Sequence, residues 1–392
     1  MLNGPFSPWP DYGDKEQQAV LSVLASNRVN YWTGTEGREF EKEFAAFADT
    51  RYAVAVANGT VALDLCWHAL NLPAGSEVIV TSRSFMASVS SIVLAGLKPV
   101  FADVDRDTQN ISADTISRVI TKNTRAILCV HLAGWPCDMG SIMALASEHN
   151  LKVVEDCAQA HGARYKGCSV GSIGHMGAWS FCQDKIMTTA GEGGMVTTSD
   201  EALWERAWAF KDHGKSYKAV YEKSHPPGFR WLHESFGTNW RLTEIQSAVG
   251  RIQLQAMPEW AAKRRAYCQQ IWQVAGELTG LRVPDLPDYI EHAGYKCYVF
   301  VEPGFLKSGW SRDRIISEIE SQGVPCFSGS CSEMYLERAF DNTGLRPEHP
   351  LPVAHELGET SLMFLVHPTL RQEEIDSTCH ALRRVLQEAT HE

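Results

Sequence analysis

Short apolar runs alternate with longer amphipathic stretches over about the first 250 residues of the chain. Five valine-rich runs lie at 52–57, 77–80, 99–101, 126–130 and 152–155, and several of them are apolar throughout. Runs of this length that are apolar throughout are typical of parallel strands with both faces buried. Helical periodicity occupies the intervals, at 61–70, 86–95, 112–120 and 138–149. This alternation predicts an α/β fold with a mixed, mostly parallel sheet of the doubly wound or a related type.

The pattern changes beyond this region. A long amphipathic helix is predicted over 243–278, and Pro258 should break or kink it because proline cannot donate the helical hydrogen bond. The remainder predicts one strand and two helices, at 298–301, 311–322 and 372–388. This part of the chain therefore indicates a smaller α+β unit.

The length of the chain indicates two domains. It has 392 residues, and a domain usually takes roughly 100 to 200. We expect residues 1–250 to form a large ligand-binding domain with an N-terminal segment, and residues 251–392 to form the linking helix and a small C-terminal domain. The sequence has no internal repeat and no low-complexity linker, which indicates that the two parts pack closely.

Charge, hydropathy and cysteine usage exclude several classes of protein. The net charge is −11, whereas nucleic-acid binding needs clustered lysine and arginine. No apolar run reaches the length of a membrane span, and residues 1–8 lack the basic and apolar parts of a signal peptide. The eleven cysteines are scattered without a CxxC pair, which indicates buried thiols and no metal site. We expect a cytoplasmic protein that binds neither nucleic acid nor membrane.

The first candidate site is the turn Asn58-Gly59-Thr60, between the first predicted strand and the helix after it. Gly59 permits a tight turn, and the free N–H groups at a helix start can hold an anion. A plain helix cap at Asn58 accounts for the same residues. The chain has neither the glycine fingerprint of dinucleotide binding nor the GKS/GKT of a phosphate loop.

Two ionisable residues follow later predicted strands. Asp156 ends a valine-rich run, where a partly desolvated carboxylate needs a cationic or protonated partner, although a helix cap is an equal alternative. Lys185 comes 185 − 156 = 29 residues later, between the apolar stretch that contains Ser180 and the glycine-rich run 191–194. Lysines are usually solvated, but this one follows a predicted strand and precedes glycines that let backbone approach a ligand.

An anion-binding turn, a strand-end carboxylate and a semi-buried lysine on one α/β sheet are what pyridoxal phosphate requires. The turn at Gly59 would hold the phosphate, and Asp156 would keep the pyridine nitrogen protonated. Lys185 would form the Schiff base. The residues therefore predict a pyridoxal phosphate enzyme.

Several co-linear motifs resemble those of the DegT/DnrJ/EryC1/StrS sugar aminotransferases. The resemblance runs nearly from end to end, and a co-linear set of this kind is more specific than any one motif. The motifs are NGTVAL at 58–63, EDCAQAHG at 155–162, WSF at 179–181 with Lys185 and GEGG at 191–194, GTNWRL at 237–242, FEKEFA at 40–45, LPVA at 351–354, and HP at 367–368.

The resemblance implies a fold-type I subunit, similar to aspartate aminotransferase, in a homodimer with shared active sites. It implies that Lys185 is the catalytic residue and forms the Schiff base, and that Asp156 pairs with the pyridine nitrogen. It also implies further cofactor contacts from Gln159 near the ring, Phe85 stacked on it, and Gly59, Thr60, Ser180 and the partner's Asn239 at the phosphate.

Some of these residues have ordinary structural alternatives. Phe85 could be a core aromatic residue. Arg241 is a candidate for the donor carboxylate, but a structural ion pair explains it equally well. Trp32 is a candidate substrate residue. Core positions are the default for His131 and His161, and we assign neither a role.

The implied reaction is a transamination in two stages, with glutamate as the amino donor and a keto or aldehyde sugar as the acceptor. Lys185 would move the proton, first as a base and then as an acid. Sugar dehydratases of the family carry histidine at the position of Lys185, which disfavours dehydration. An amino-acid transaminase and a non-catalytic regulator remain as alternatives.

Branches of the family differ in the sugar that accepts the amino group. Most members that resemble this chain act on nucleotide-linked 3- or 4-keto-hexoses. Asn58, Gln183 and Asp184 instead resemble the branch that converts 8-oxo-3-deoxy-octulosonate to its 8-amino sugar for lipopolysaccharide. We take that free keto-acid sugar as the first specific hypothesis and the nucleotide-linked keto-hexose as the alternative.

Overall fold

The structure is a computed structural model, and it describes residues 4–225 and 231–391. Its helices are α1 Asp14–Ser26, α2 Glu36–Phe47, α3 Gly59–Leu70, α4 Met86–Leu94, α5 Ala113–Ser117, α6 Met139–Glu148, α7 Glu201–Phe210, α8 Tyr217–Tyr221, α9 Glu244–Gly276, α10 Arg312–Ser321, α11 Pro352–Thr360 and α12 Gln372–Ala389. Its strands are β1 Tyr52–Val56, β2 Glu77–Thr81, β3 Lys98–Ala102, β4 Thr124–Val130, β5 Lys152–Asp156, β6 Arg164–Tyr165, β7 Cys168–Ser169, β8 Met176–Ser180, β9 Gly194–Thr198, β10 Leu281–Arg282, β11 Ile290–Glu291, β12 Cys297–Val301, β13 Cys326–Phe327 and β14 Ser361–Phe364.

A seven-stranded sheet carries the first part of the chain, in the order β1-β9-β8-β5-β4-β2-β3. The four pairs β8-β5, β5-β4, β4-β2 and β2-β3 are parallel, and within this sheet only β9 runs antiparallel to both of its neighbours. All residues of β2, β8 and β9 are buried, as strands covered on both faces must be. The predicted mixed, mostly parallel α/β sheet is therefore confirmed.

The second part of the chain builds its own antiparallel sheet, in the order β10-β12-β14-β13. Helices α9, α10 and α12 contribute most of the apolar side chains that cover it. The predicted strand at 298–301 and the helices at 311–322 and 372–388 correspond to β12, α10 and α12. None of the helices within 4–225 and 231–391 is long and apolar enough to cross a membrane.

Helix α9 corrects one prediction. It continues without interruption through Pro258, where we predicted a break or kink, so the predicted break is wrong. Met257 and Ala261 are buried on either side of the proline, and α9 packs against α1, α2 and α12. Proline removes one donor from the helix. The packing of the flanking turns compensates for this single loss.

Candidate active site

A cavity of about 640 Å³ opens where several sheet elements end or begin. Strand β5 ends in Asp156, β8 ends in Ser180, and α3 begins at Gly59 directly after β1. All three residues line the cavity, together with Lys185 from the loop that follows β8. Ligands of open α/β sheets bind at this edge because parallel strands present their carboxyl ends together.

Asp156 lies buried at the floor of the cavity. Its Oδ2 accepts a hydrogen bond of 2.8 Å from the Ser88 hydroxyl, and its Oδ1 accepts one of 3.2 Å from the Ala158 N–H. Burial raises the pKa of Asp156 above its usual range, although these hydrogen bonds and the charge of Lys185 act in the opposite direction. A cation bound in the cavity would keep this carboxylate ionised.

The start of α3 forms an anion cradle. Asn58 caps the helix, because its Oδ1 accepts a hydrogen bond of 2.9 Å from the Val61 N–H. The helix cap that we considered at Asn58 is therefore confirmed. The N–H groups of Gly59 and Thr60 lie in the first turn and have no intrahelical acceptor. A Cβ at Gly59 would lie 2.5 Å from the Cβ of Ser180, so only glycine allows this close approach. The Ser180 hydroxyl is thereby placed beside the free N–H groups.

Lys185 is mostly enclosed, with 17% of its side chain exposed. Its Nζ lies 3.8 Å from Asp184 Oδ1 and 5.1 Å from the centroid of the Tyr295 ring. Its carbonyl accepts a hydrogen bond of 2.8 Å from Trp9 Nε1, which ties the N-terminal segment to this loop.

Asp184 is the carboxylate that accompanies the lysine. Its Oδ2 accepts a hydrogen bond of 2.5 Å from the Tyr295 hydroxyl. Burial alone would raise the pKa of Asp184, but Lys185 and Tyr295 together lower it below its usual range. Asp184 therefore stays ionised beside the amine.

Two further predicted residues line the same cavity. Phe85 is the N-cap residue of α4, and 70% of it is exposed, so it is not a core aromatic residue. Gln159 is buried, and its Oε1 accepts the Ala133 N–H at 2.8 Å. The cavity thus combines an aromatic face, an amide and a carboxylate.

Three other predicted residues do not line the cavity of their own chain. Asn239 is exposed and bridges to the backbone of Asp212. Arg241 Nη1 forms an ion pair of 2.6 Å with Asp212 Oδ1, which is the structural pair we had considered. Trp32 packs edge-to-face on Trp208 at 6.0 Å.

The two histidines lie in the core beneath the cavity. His131 Nε2 contacts Glu155 at 2.9 Å, and its Nδ1 accepts the Cys137 N–H at 3.0 Å. Its burial would lower its pKa, but the neighbouring Cys157 thiol and Glu155 raise that pKa to about 10. His161 packs against aromatic rings, and burial lowers its pKa to about 3.

Sequence reasoning missed Ser88, Tyr295 and Trp9 as parts of the site. Ser88 lies in the first turn of α4, three residues after the N-cap residue Phe85, so its position at this helix start could have indicated it. Tyr295 and Trp9 reach the lysine from distant segments, and no local pattern signals such contacts.

The residues present fit pyridoxal phosphate. The buried carboxylate of Asp156 calls for a cation such as a protonated pyridine nitrogen. The free N–H groups of α3 beside Ser180 suit a phosphate, and Phe85 offers an open aromatic face. Lys185 supplies the amine that this cofactor binds covalently.

Comparison with known proteins agrees with this chemistry. The sequence model of the DegT/DnrJ/EryC1/StrS aminotransferase family matches residues 10–383. GDP-perosamine synthase of Caulobacter vibrioides is 34% identical over 388 residues, which cover 96% of this chain and 97% of that protein. The dTDP-3-amino-3,4,6-trideoxy-alpha-D-glucose transaminase of Streptomyces venezuelae is 32% identical over 365 residues, which cover 93% and 90%.

A solved structure is similar over the whole chain. The X-ray structure of the aminotransferase from Psychrobacter cryohalolentis is 63% identical, with a TM-score of 0.97, and the match covers 98% of this chain and 99% of that one. The chain therefore belongs to the DegT/DnrJ/EryC1/StrS aminotransferase family. It is a sugar aminotransferase that depends on pyridoxal phosphate, with the predicted fold-type I architecture.

Proposed function

We propose that this member of the family takes an amino group from glutamate and passes it to a keto or aldehyde sugar, with Lys185 as the catalytic residue. One observation carries the proposal. The amine of Lys185, the carboxylate of Asp156 and the free N–H groups of α3 all face a single cavity.

The cofactor contacts follow from the chemistry of each side chain. Gly59, Thr60 and Ser180 would bind the phosphate, and Asp156 would hold the proton on the pyridine nitrogen. Phe85 would stack on the ring, and Gln159 would contact it. Pyridoxal phosphate, when bound, supplies the electron sink for the carbon that loses a proton.

Lys185 Nζ acts as the base that takes the proton from the α-carbon of glutamate. In the second half-reaction it acts as the acid that returns a proton to the sugar carbon that receives nitrogen. Asp184 and Tyr295 position this amine, because both lie beside it and their own hydrogen bond fixes them to each other.

The active enzyme is a homodimer in which Asn239 completes the phosphate site of the partner subunit. The exposure of Asn239, away from the cavity of its own chain, supports this arrangement. Large apolar side chains outside the cavity that are exposed in a single chain, such as Leu94 and Phe236, support a protein interface. A cytoplasmic location stays a prediction.

The structure supports substrate roles for Trp32 and Arg241 less well than it supports the cofactor contacts. The ion pair of its Nη1 with Asp212 supports a structural role for Arg241. Trp32 does not line the cavity of its own chain, so it could contact the substrate only in the cavity of a partner subunit.

Two acceptors are consistent with the chain. The names of its relatives support a nucleotide-linked 3- or 4-keto-hexose. The residues Asn58, Gln183 and Asp184 support 8-oxo-3-deoxy-octulosonate, the precursor of an 8-amino sugar of lipopolysaccharide.

A half-reaction screen tests the proposal. The holoenzyme is aminated with glutamate and freed of excess donor, and each candidate sugar is then tested for its ability to restore the original cofactor spectrum. We expect one class of keto sugar to restore it, and the other to fail at equal concentration.

Three outcomes of that screen would contradict us. Restoration by ordinary 2-oxo acids alone would indicate an amino-acid transaminase. Loss of water from the sugar without amination would indicate a dehydratase. No amination by glutamate, with the cofactor bound, would indicate another donor or a non-catalytic regulator.

A further inference from the structure

A second cavity, of about 970 Å³, adjoins the one that holds Lys185. Cys182 and Asp184 line both cavities, and the amines of Lys185 and Lys296 lie 5.1 and 5.0 Å from the centroid of the same Tyr295 ring, so the two spaces adjoin at the catalytic loop. The N-terminal segment around Trp9 forms one wall, and residues of α9 and the segment before β12 form another. A molecule that reacts at Lys185 can therefore extend into this space.

Two cations without a carboxylate partner face this space. Arg264 is buried at 1% exposure, its Nε has no hydrogen-bond partner, and its Nη1 donates only to the Gly294 carbonyl at 3.2 Å. Lys296 is half-buried, and its Nζ lies 5.0 Å from the centroid of the Tyr295 ring. Within 4–225 and 231–391, no carboxylate lies within 4.0 Å of either cation.

Asp184 is a single carboxylate beside three cations, so it compensates the charge of Lys296 only in part. Asp184 is held by the Tyr295 hydroxyl and lies 3.8 Å from Lys185. His367 also lines the cavity, but burial lowers its pKa to about 3, so it carries no charge near neutral pH. Burying a charge without a partner is costly, and such charges are normally retained where a ligand pairs with them.

We propose that Arg264 and Lys296 bind an anionic oxygen group, a carboxylate or a phosphate, of a reactant whose reacting carbon lies at Lys185. The inference rests on the proposed function, since it assigns the second cavity to the same two half-reactions. Both reactants use the amine of Lys185 in turn. The anion therefore belongs to the amino donor, to the sugar acceptor, or to each in its own half-reaction.

The protonation of Lys296 supports the assignment. Burial, with help from the charges of Arg264 and Lys185, lowers the pKa of Lys296 to about 8, although Asp184 raises it. Lysine is cationic below its pKa, so the affinity for an anion should decline as the pH rises above about 8. Burial also lowers the pKa of the Arg264 guanidinium below its usual range, but arginine stays protonated in proteins, so the pH dependence comes from Lys296.

Glutarate is a suitable probe because it has two carboxylates and no amine, and its neutral diamide glutaramide is the matched control ligand. Calorimetry on the holoenzyme measures both dissociation constants. We expect glutarate to bind and glutaramide not to. Arg264→Gln and Lys296→Gln should each weaken glutarate binding by about 10-fold or more, since each removes a charged hydrogen-bond donor.

Two further variants serve as controls. Arg264→Lys keeps the charge and should retain part of the affinity. Arg265→Gln changes the next residue of α9, whose exposed side chain lies 4.0 Å from Glu291, and should leave the affinity unchanged. Unchanged glutarate binding in Lys296→Gln would overturn the proposal, and Lys296→Gln decides the matter alone if Arg264→Gln does not fold.

Rates of the separate half-reactions identify the source of the anion. Slowing of the glutamate half-reaction alone assigns the anion to the donor, and slowing of the sugar half-reaction alone assigns it to the acceptor. Slowing of neither overturns the proposal. If no sugar accepts nitrogen while glutarate binding still depends on both cations, the anion site stands and the proposed acceptor class fails.

Discussion

The surroundings of Asp156 favour a bound cation beside its carboxylate. Its carboxylate is buried and receives only two hydrogen bonds, one from Ser88 and one from the backbone of Ala158. Burial raises its pKa, and a positively charged ring nitrogen would lower that pKa again. The residue thus matches an ionisable heterocycle better than it matches a neutral sugar.

Changing Asp156 to Asn tests this role. The amide keeps the shape but cannot stabilise a positive charge, so we expect the rate of amino transfer to fall by about 100-fold or more. Ser88→Ala is the matched control, since it removes one hydrogen bond from the carboxylate and leaves its charge. Its loss should be clearly smaller, at about 10-fold. Single-turnover kinetics with glutamate measure this rate. A rate for Asp156→Asn equal to that of the wild type would contradict the role that we assign to Asp156.

At the scale of secondary-structure elements, the sequence predicts the site residues that lie at the end of a strand or the start of a helix. Asp156 ends β5, Ser180 ends β8, and Gly59 begins α3, and each end is visible in the apolar pattern of the sequence. The carboxyl ends of such strands lie at one edge of the sheet, so these side chains had to lie close together.

Contacts between distant segments could not be predicted in this way. Tyr295 contacts Asp184 across 111 residues, and Trp9 contacts Lys185 across 176. These contacts depend on how the second sheet and the N-terminal segment pack on the first. Pro258 shows the opposite error, because a local rule predicted a break that the packing of α9 overrides.

At the scale of the whole molecule, net charge and local charge differ in sign. The chain carries a net charge of −11, yet the second cavity presents Arg264 and Lys296 without a carboxylate partner. Net charge governs solubility and long-range attraction, whereas a buried site acts through its own groups. An acidic enzyme can therefore bind acidic substrates.

The proposed dimer leads to a complementation test. Lys185→Ala removes the amine from one chain, and Asn239→Ala removes the contact that we assign to the partner's phosphate site. A purified heterodimer of the two variants should regain about half of the wild-type activity, since one of its two sites is complete. The Asn239→Ala homodimer should itself be strongly impaired, and wild-type activity in that homodimer would show that Asn239 has no role. Heterodimer activity equal to the mean of the two parent homodimers would then show that Asn239 serves its own chain.

Transfer of labelled nitrogen tests the central claim, that Lys185 passes an amino group from glutamate to a sugar. The holoenzyme is incubated with ¹⁵N-glutamate and a panel of nucleotide-linked keto-hexoses and 8-oxo-3-deoxy-octulosonate, and the sugars are analysed by mass spectrometry. The account predicts labelled nitrogen on one sugar with the wild type and none with Lys185→Ala. Labelled sugar formed equally well by Lys185→Ala, or label that reaches only 2-oxo acids, would contradict it.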